Sequence, residues 1–188
     1  TSEFRYAVVQ AASASLMLFT YVSLIPSVLM VQFGATPAQF GIFFGINSLA
    51  LVAGSQINRR ILKKLKVSQA LRNMVGFQAA MAIALFALAH TVPSIWVVLP
   101  MLMLTIGANP SIAGNSATLA MGPFPNSAAQ TSAMVGLIQG ISSASAAAIA
   151  AVLPGEPLSK MTSMMLVIAA LSSTILIIRE RKFKKLSA

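Results

Sequence analysis

Residues 6–58, 73–155 and 161–178 contain no Asp, Glu, Lys or Arg. A soluble fold is excluded on that ground, because a water-facing surface takes about 25% charged residues and this chain of 188 has 9%. Hydrophobic residues make up 57%, and the mean hydropathy is +0.83. A bilayer-spanning helix needs about 20 apolar residues, so the three runs hold two, three and one spans. Strands are disfavoured, because a barrel needs alternation and these runs are apolar on every face.

Turn signals divide the runs. Gly34-Ala35-Thr36-Pro37 splits the first, and His90-Thr91-Val92-Pro93-Ser94 and Gly122-Pro123-Phe124-Pro125-Asn126 split the second. Leu153-Pro154-Gly155-Glu156-Pro157 sets off the last span. Gly and Pro interrupt helices and mark exposed turns. The pattern predicts an all-α, polytopic membrane protein made of one six-helix domain over residues 1–188. Its helices are expected at about 5–32, 38–58, 68–89, 94–115, 127–152 and 160–178, with a kink at Pro26.

Six spans place both ends of the chain on one side. Arg5, the cluster Arg59, Arg60, Lys63, Lys64, Lys66, Arg72, and the tail Arg179, Arg181, Lys182, Lys184, Lys185 then fall together, leaving Lys160 opposite. Positive residues favour the cytoplasmic face, so both termini are expected there, in a plasma or bacterial inner membrane. The net charge of +10 reads as topology plus contact with anionic lipid headgroups. It calls for no nucleic-acid partner, since no basic domain with interleaved aromatics stands clear of the spans. The chain opens on Thr1 rather than Met, which reads as a fragment, a processed product or a half-size protein.

No span has a charge at its centre, and all three Glu lie at span ends. A proton-coupled carrier ordinarily holds an ionisable group within the bilayer, so these helices alone lack a coupling group. Uncharged polar residues instead recur at helical spacing. One face carries Gln10, Ser13, Met17, Thr20 or Tyr21, and Leu24. A second carries Asn47, Leu51, Gly54 and Asn58, a third Thr105, Asn109 and Ile112, and a fourth Ser132, Val135, Gln139 and Ser142. An unpaired amide in hydrocarbon costs several kcal/mol, so any one of these residues reads as an interhelical tie or as cavity lining, and the four faces together favour a wet cavity. Small residues four apart (Gly41 and Gly45, Ala50 and Gly54, Gly136 and Gly140) permit close helix approach. His90, at a span end, reads as an interfacial polar residue.

Enzyme chemistry finds no footing. There is no Cys and no Asp, so thiolate metal sites and the Asp-dependent triad are excluded. An intramembrane serine protease motif is absent. A lone Asn109-Pro110-Ser111 falls short of the paired loops of a water channel. No metal or cofactor is implied.

Gly54-Ser55-Gln56-Ile57-Asn58-Arg59-Arg60-Ile61-Leu62-Lys63-Lys64 resembles the loop motif of the major facilitator superfamily, roughly G-x-x-x-D-R-x-G-R-R/K. Gly54 and Arg59 match, Asn58 stands in place of the acid, and Lys63 and Lys64 form the basic end. Phe19 to Pro26, Phe40 to Ser48, Gly122-Pro123-Phe124-Pro125 and the segment from Ser127 to Gln139 extend the likeness. In order along the chain, they resemble the C-terminal half of bicyclomycin/chloramphenicol-resistance-type drug:proton antiporters. The resemblance implies half of a twelve-helix transporter that works by alternating access, and a preceding six-helix half that carries the coupling carboxylate. It implies a small amphipathic substrate in a cavity formed by the first, second, fourth and fifth spans, with Gln10, Met17, Tyr21, Asn47, Thr105, Asn109 and Gln139 as candidate contacts. A membrane scaffold subunit or a homodimeric half-size carrier is the alternative.

Overall fold

The computed structural model describes residues 2–186, and side chains from residue 3 to residue 180. It is all-helical. Helix α1 runs Ser2–Pro26 and passes into a π-helical turn, Ser27–Gln32. Helices α2 (Pro37–Ile61), α3 (Val67–Thr91), α4 (Ile95–Gly107) and α5 (Asn109–Met121) follow. A 3₁₀ turn, Pro125–Ser127, leads into α6 (Ala128–Val152), and α7 runs Pro157–Leu186. Among the described residues, six helical stretches are long and apolar enough to cross a membrane, with α4 and α5 together making the fourth, Ile95–Met121. The chain is an integral membrane protein of the all-α, polytopic class.

Local chemistry explains the boundaries. Pro26 has no N–H to give the preceding turn, and the chain widens just beyond it, with Phe33 N donating to Val28 O at 3.1 Å and Ala35 N to Leu29 O at 2.9 Å. The kink expected at Pro26 is thus a change of helix type. Gly34 then turns the chain at φ +67°, where a side chain would be strained. Thr36 opens α2 with a reciprocal cap: its hydroxyl accepts from Gln39 N at 3.3 Å, and Gln39 Oε1 accepts from Thr36 N at 2.9 Å. Helix α4 ends at Gly107, and Pro110 interrupts the backbone ladder just inside α5. The fourth span therefore contains a break at Ala108, which the sequence reading did not place. It also continues to Met121 rather than 115, since Gly114 is carried within α5 and the next proline after Pro110 is Pro123.

Helix α1 is central, packed on α5, α6 and α7; α3 lies on α7, α4 and α5, and α2 lies on α4 and α5. The ends fall as six spans demand. Arg179 Nη2 meets Glu3 Oε1 at 2.8 Å, and Arg72 Nη1 meets Glu180 Oε1 at 3.4 Å. These pairs join the starts of α1 and α3 to the far end of α7. At the opposite rim Gln32 caps α7: its Oε1 accepts from Leu158 N at 2.8 Å, and its Nε2 donates to Glu156 Oε2 at 3.2 Å. The main apolar core lies toward this rim, around Met17, Ile25, Leu29, Leu85, Leu102 and Met161.

Candidate functional site

In hydrocarbon no hydrophobic force drives helices together, so packing and interhelical hydrogen bonds hold the bundle. Half of the buried polar side chains serve that purpose. Gln10 on α1 donates through Nε2 to Ser172 O at 2.7 Å and accepts from Ser172 Oγ at 2.6 Å, joining α1 to α7. Gln78 on α3 donates through Nε2 to Thr105 O at 3.1 Å and to Asn109 Oδ1 at 3.4 Å. It thereby spans the break between α4 and α5, where the helix ladder is interrupted. Thr105 Oγ1 turns back to Met101 O at 2.7 Å.

The α2–α5 seam is also closed. Asn58 and Asn115 exchange amide hydrogen bonds at 3.1 and 3.0 Å. One turn earlier, Ser111 Oγ donates to Gly54 O at 3.2 Å. Gly54 lies against Gly107, and a Cβ on Gly54 would overlap the Gly107 carbonyl. Gly54 and Asn58 thus act within the helix seam, while Arg59, Lys63 and Lys64 stand exposed at the rim. Arg59 reaches Gln56 Oε1 at 3.5 Å.

One cluster is left open. Tyr21 is 2% exposed and Asn47 0%, and both side-chain ends lie close together without a hydrogen bond of good geometry. Among the described residues, the Tyr21 hydroxyl, both polar atoms of the Asn47 amide and the neighbouring Thr20 hydroxyl are buried with no hydrogen-bond partner, as are the single hydroxyls of Ser116 on α5 and Ser173 on α7. The Tyr21 ring stacks on Phe44 at 6.1 Å with 6° between planes, and Phe44 on Phe40 at 5.7 Å. Met17 lies one turn before Tyr21 in the same core. The arrangement presents aromatic faces, a thioether and unsatisfied donors and acceptors, which suits recognition of a polar group on an apolar molecule.

Of the seven residues singled out in the sequence, Tyr21, Asn47 and Met17 meet here. Gln10, Thr105 and Asn109 lie in interhelical ties, and Gln139 is half-buried on α6, its amide making no hydrogen bond to the described residues. The seven do not surround one cavity. The two large grooves, of about 450 and 420 Å³, are apolar, lie elsewhere, and are lined by none of them. The sequence reading missed Gln78, Ser111, Asn115 and Ser172. A lone Gln within the apolar run of α3 was the available signal for Gln78. Among the described residues no three His, Asp or Glu side chains group as metal ligands. Comparison of the chain with family models, curated proteins and solved structures finds no match.

Proposed function

We propose that the chain is the second six-helix half of a secondary-active exporter of the major facilitator type, exchanging a small amphipathic drug or metabolite for protons by alternating access. The observation that carries this reading is the open Tyr21–Asn47 cluster inside a bundle whose other buried amides are paired. Burying such atoms without partners is costly, and a solute that supplies the missing hydrogen bonds offsets that cost. The spans hold no carboxylate, so the proton is carried by a separate six-helix half. The loop resemblance at Gly54–Lys64 supports the same assignment, and the basic rim supports cytoplasmic termini in a plasma or bacterial inner membrane.

Helix α2 fits a surface that faces that other half. Its only buried residues are Asn47 and Asn58, while Ile42, Ile46, Leu49 and Val52 are exposed. Gly41 and Gly45 on α2, and Gly136 and Gly140 on α6, have open space where a Cβ would stand. The same feature favours the second reading, a homodimeric carrier or assembly subunit, in which another copy takes that place.

The test uses the intact protein in proteoliposomes. Asn47→Ala and Gln139→Ala are expected to change which solutes are exported while proton exchange persists. Loss of all proton exchange in both variants, with solute binding retained, would overturn the assignment. Cross-linking from Gly45→Cys then separates the readings: a link to a different six-helix segment supports the exporter, and a link to a second copy supports the alternative.

A further inference from the structure

Helices α2 and α3 both pack on α4 and α5, with little contact between them. The space left is an apolar groove of about 450 Å³, walled by Ala53 and Ile57 on α2, Met74 and Phe77 on α3, and Met103 and Leu104 on α4. Its floor is the close approach of Gly54 to Gly107, where two absent side chains let α2 sink onto α4.

The loop that joins α2 to α3 lies beyond one end of this groove. Helices rise about 1.5 Å per residue, so Ile57 lies within ~8 Å of the loop along the axis. Arg59, Arg60, Lys63, Lys64 and Lys66 are all exposed there. None of them forms an ion pair among the described residues, because the carboxylates are engaged elsewhere: Glu3 with Arg179, Glu180 with Arg72, and Glu156 with Gln32 at the opposite rim. The second groove, of about 420 Å³ on α1, α6 and α7, has no such rim. Leu153 and Ser163 line it near the other end of the bundle, where Lys160 is the single basic residue.

An apolar channel ending in uncompensated positive charge matches one kind of molecule. We propose that the α2–α3 groove is a binding site for an anionic phospholipid, with an acyl chain over the Gly54–Gly107 floor and the phosphate held by the basic loop. A soluble anion would leave the apolar walls without a role. A second copy of the chain would bring another basic rim against the first. Phospholipid seated there would buttress α2 against α3. The inference rests on the membrane-spanning fold and is independent of what the protein transports.

The test is native mass spectrometry of the intact, detergent-solubilised protein, titrated with phosphatidylglycerol or with phosphatidylcholine of the same chains. Each basic residue at a membrane surface contributes about 1 kcal/mol of attraction for anionic lipid, so the anionic lipid is expected to be retained at least about tenfold more tightly. Ala53→Trp, which fills the groove, should weaken that retention about tenfold, and the double variant Lys63→Gln/Lys64→Gln, at about 1 kcal/mol per charge, about thirtyfold. Ser163→Phe, in the second groove, should leave it unchanged. Thermal unfolding without lipid checks that each variant is folded, and Ala53→Leu replaces Ala53→Trp if that one is not. Equal retention of both lipids overturns the proposal. So does full retention by Ala53→Trp, which would reduce the effect to surface charge. Displacement by inorganic phosphate alone, or a dimer that Ala53→Trp splits, would also overturn it in favour of a soluble anion or a second copy.

Discussion

Asn47 and Asn58 occupy the same face of α2, three turns apart, and both are buried. Asn58 meets Asn115 and every amide group has a partner within the pair. Asn47 meets the Tyr21 hydroxyl without a good hydrogen bond, and both of its polar atoms are unsatisfied. Residue type and helix face are shared, and both side chains are buried (0% and 9% exposed), so the difference lies in what stands opposite. A second amide turns an asparagine into a fastener. An aromatic shelf with a lone hydroxyl leaves it free to serve something else. Burial alone therefore does not distinguish the two asparagines, but hydrogen-bond satisfaction does.

The comparison can be broken at several points. The largest effect should come from Gly54→Val, whose side chain would collide with the Gly107 carbonyl. Overpacking of this kind costs about 3 kcal/mol or more, and the measurement is loss of folded, monodisperse protein in detergent. Asn58→Ala should destabilise by about 1–2 kcal/mol, because it strands the Asn115 amide. The double variant Asn58→Leu/Asn115→Leu should recover most of that loss, as read by thermal unfolding. Asn47→Leu should behave in the opposite way, leaving stability unchanged or raising it by about 1 kcal/mol, because it removes two unsatisfied atoms. If Asn47→Leu unfolds as readily as Asn58→Ala, the distinction between the two sites is wrong. The smallest effect belongs to Arg179→Gln, which breaks the pair with Glu3 at the rim. About 0.5–1 kcal/mol is expected, shrinking as salt is added.

The six spans and their turns were legible because hydropathy and Gly/Pro punctuation are local signals. The rim to which the basic residues belong followed from counting spans, and the Glu3–Arg179 and Arg72–Glu180 pairs agree with that count. The partners of the polar residues were not legible. Gln10 and Ser172 are 162 positions apart, and nothing local in either marks them as a pair. The break at Ala108 was hidden for a related reason: Pro110 announces a lost hydrogen bond to Ile106 O, but the tie that spans the break, from Gln78 to Thr105 O and Asn109 Oδ1, comes from a different helix. Gly54 and Asn58 were legible as one face of the second helix, but not the partners they meet there: Gly107, Ser111 and Asn115 on α4 and α5.

The charged side chains stand only at the two rims of the bundle, and the layer between them has no Asp, Glu, Lys or Arg. A membrane potential exerts force on charge, about 2.3 kcal/mol per elementary charge moved through 100 mV. Tilting this bundle shifts almost no charge along that field. Its motion should therefore be nearly blind to voltage, and any electrical sensitivity of the process it serves would have to enter with the cargo or from outside these six helices.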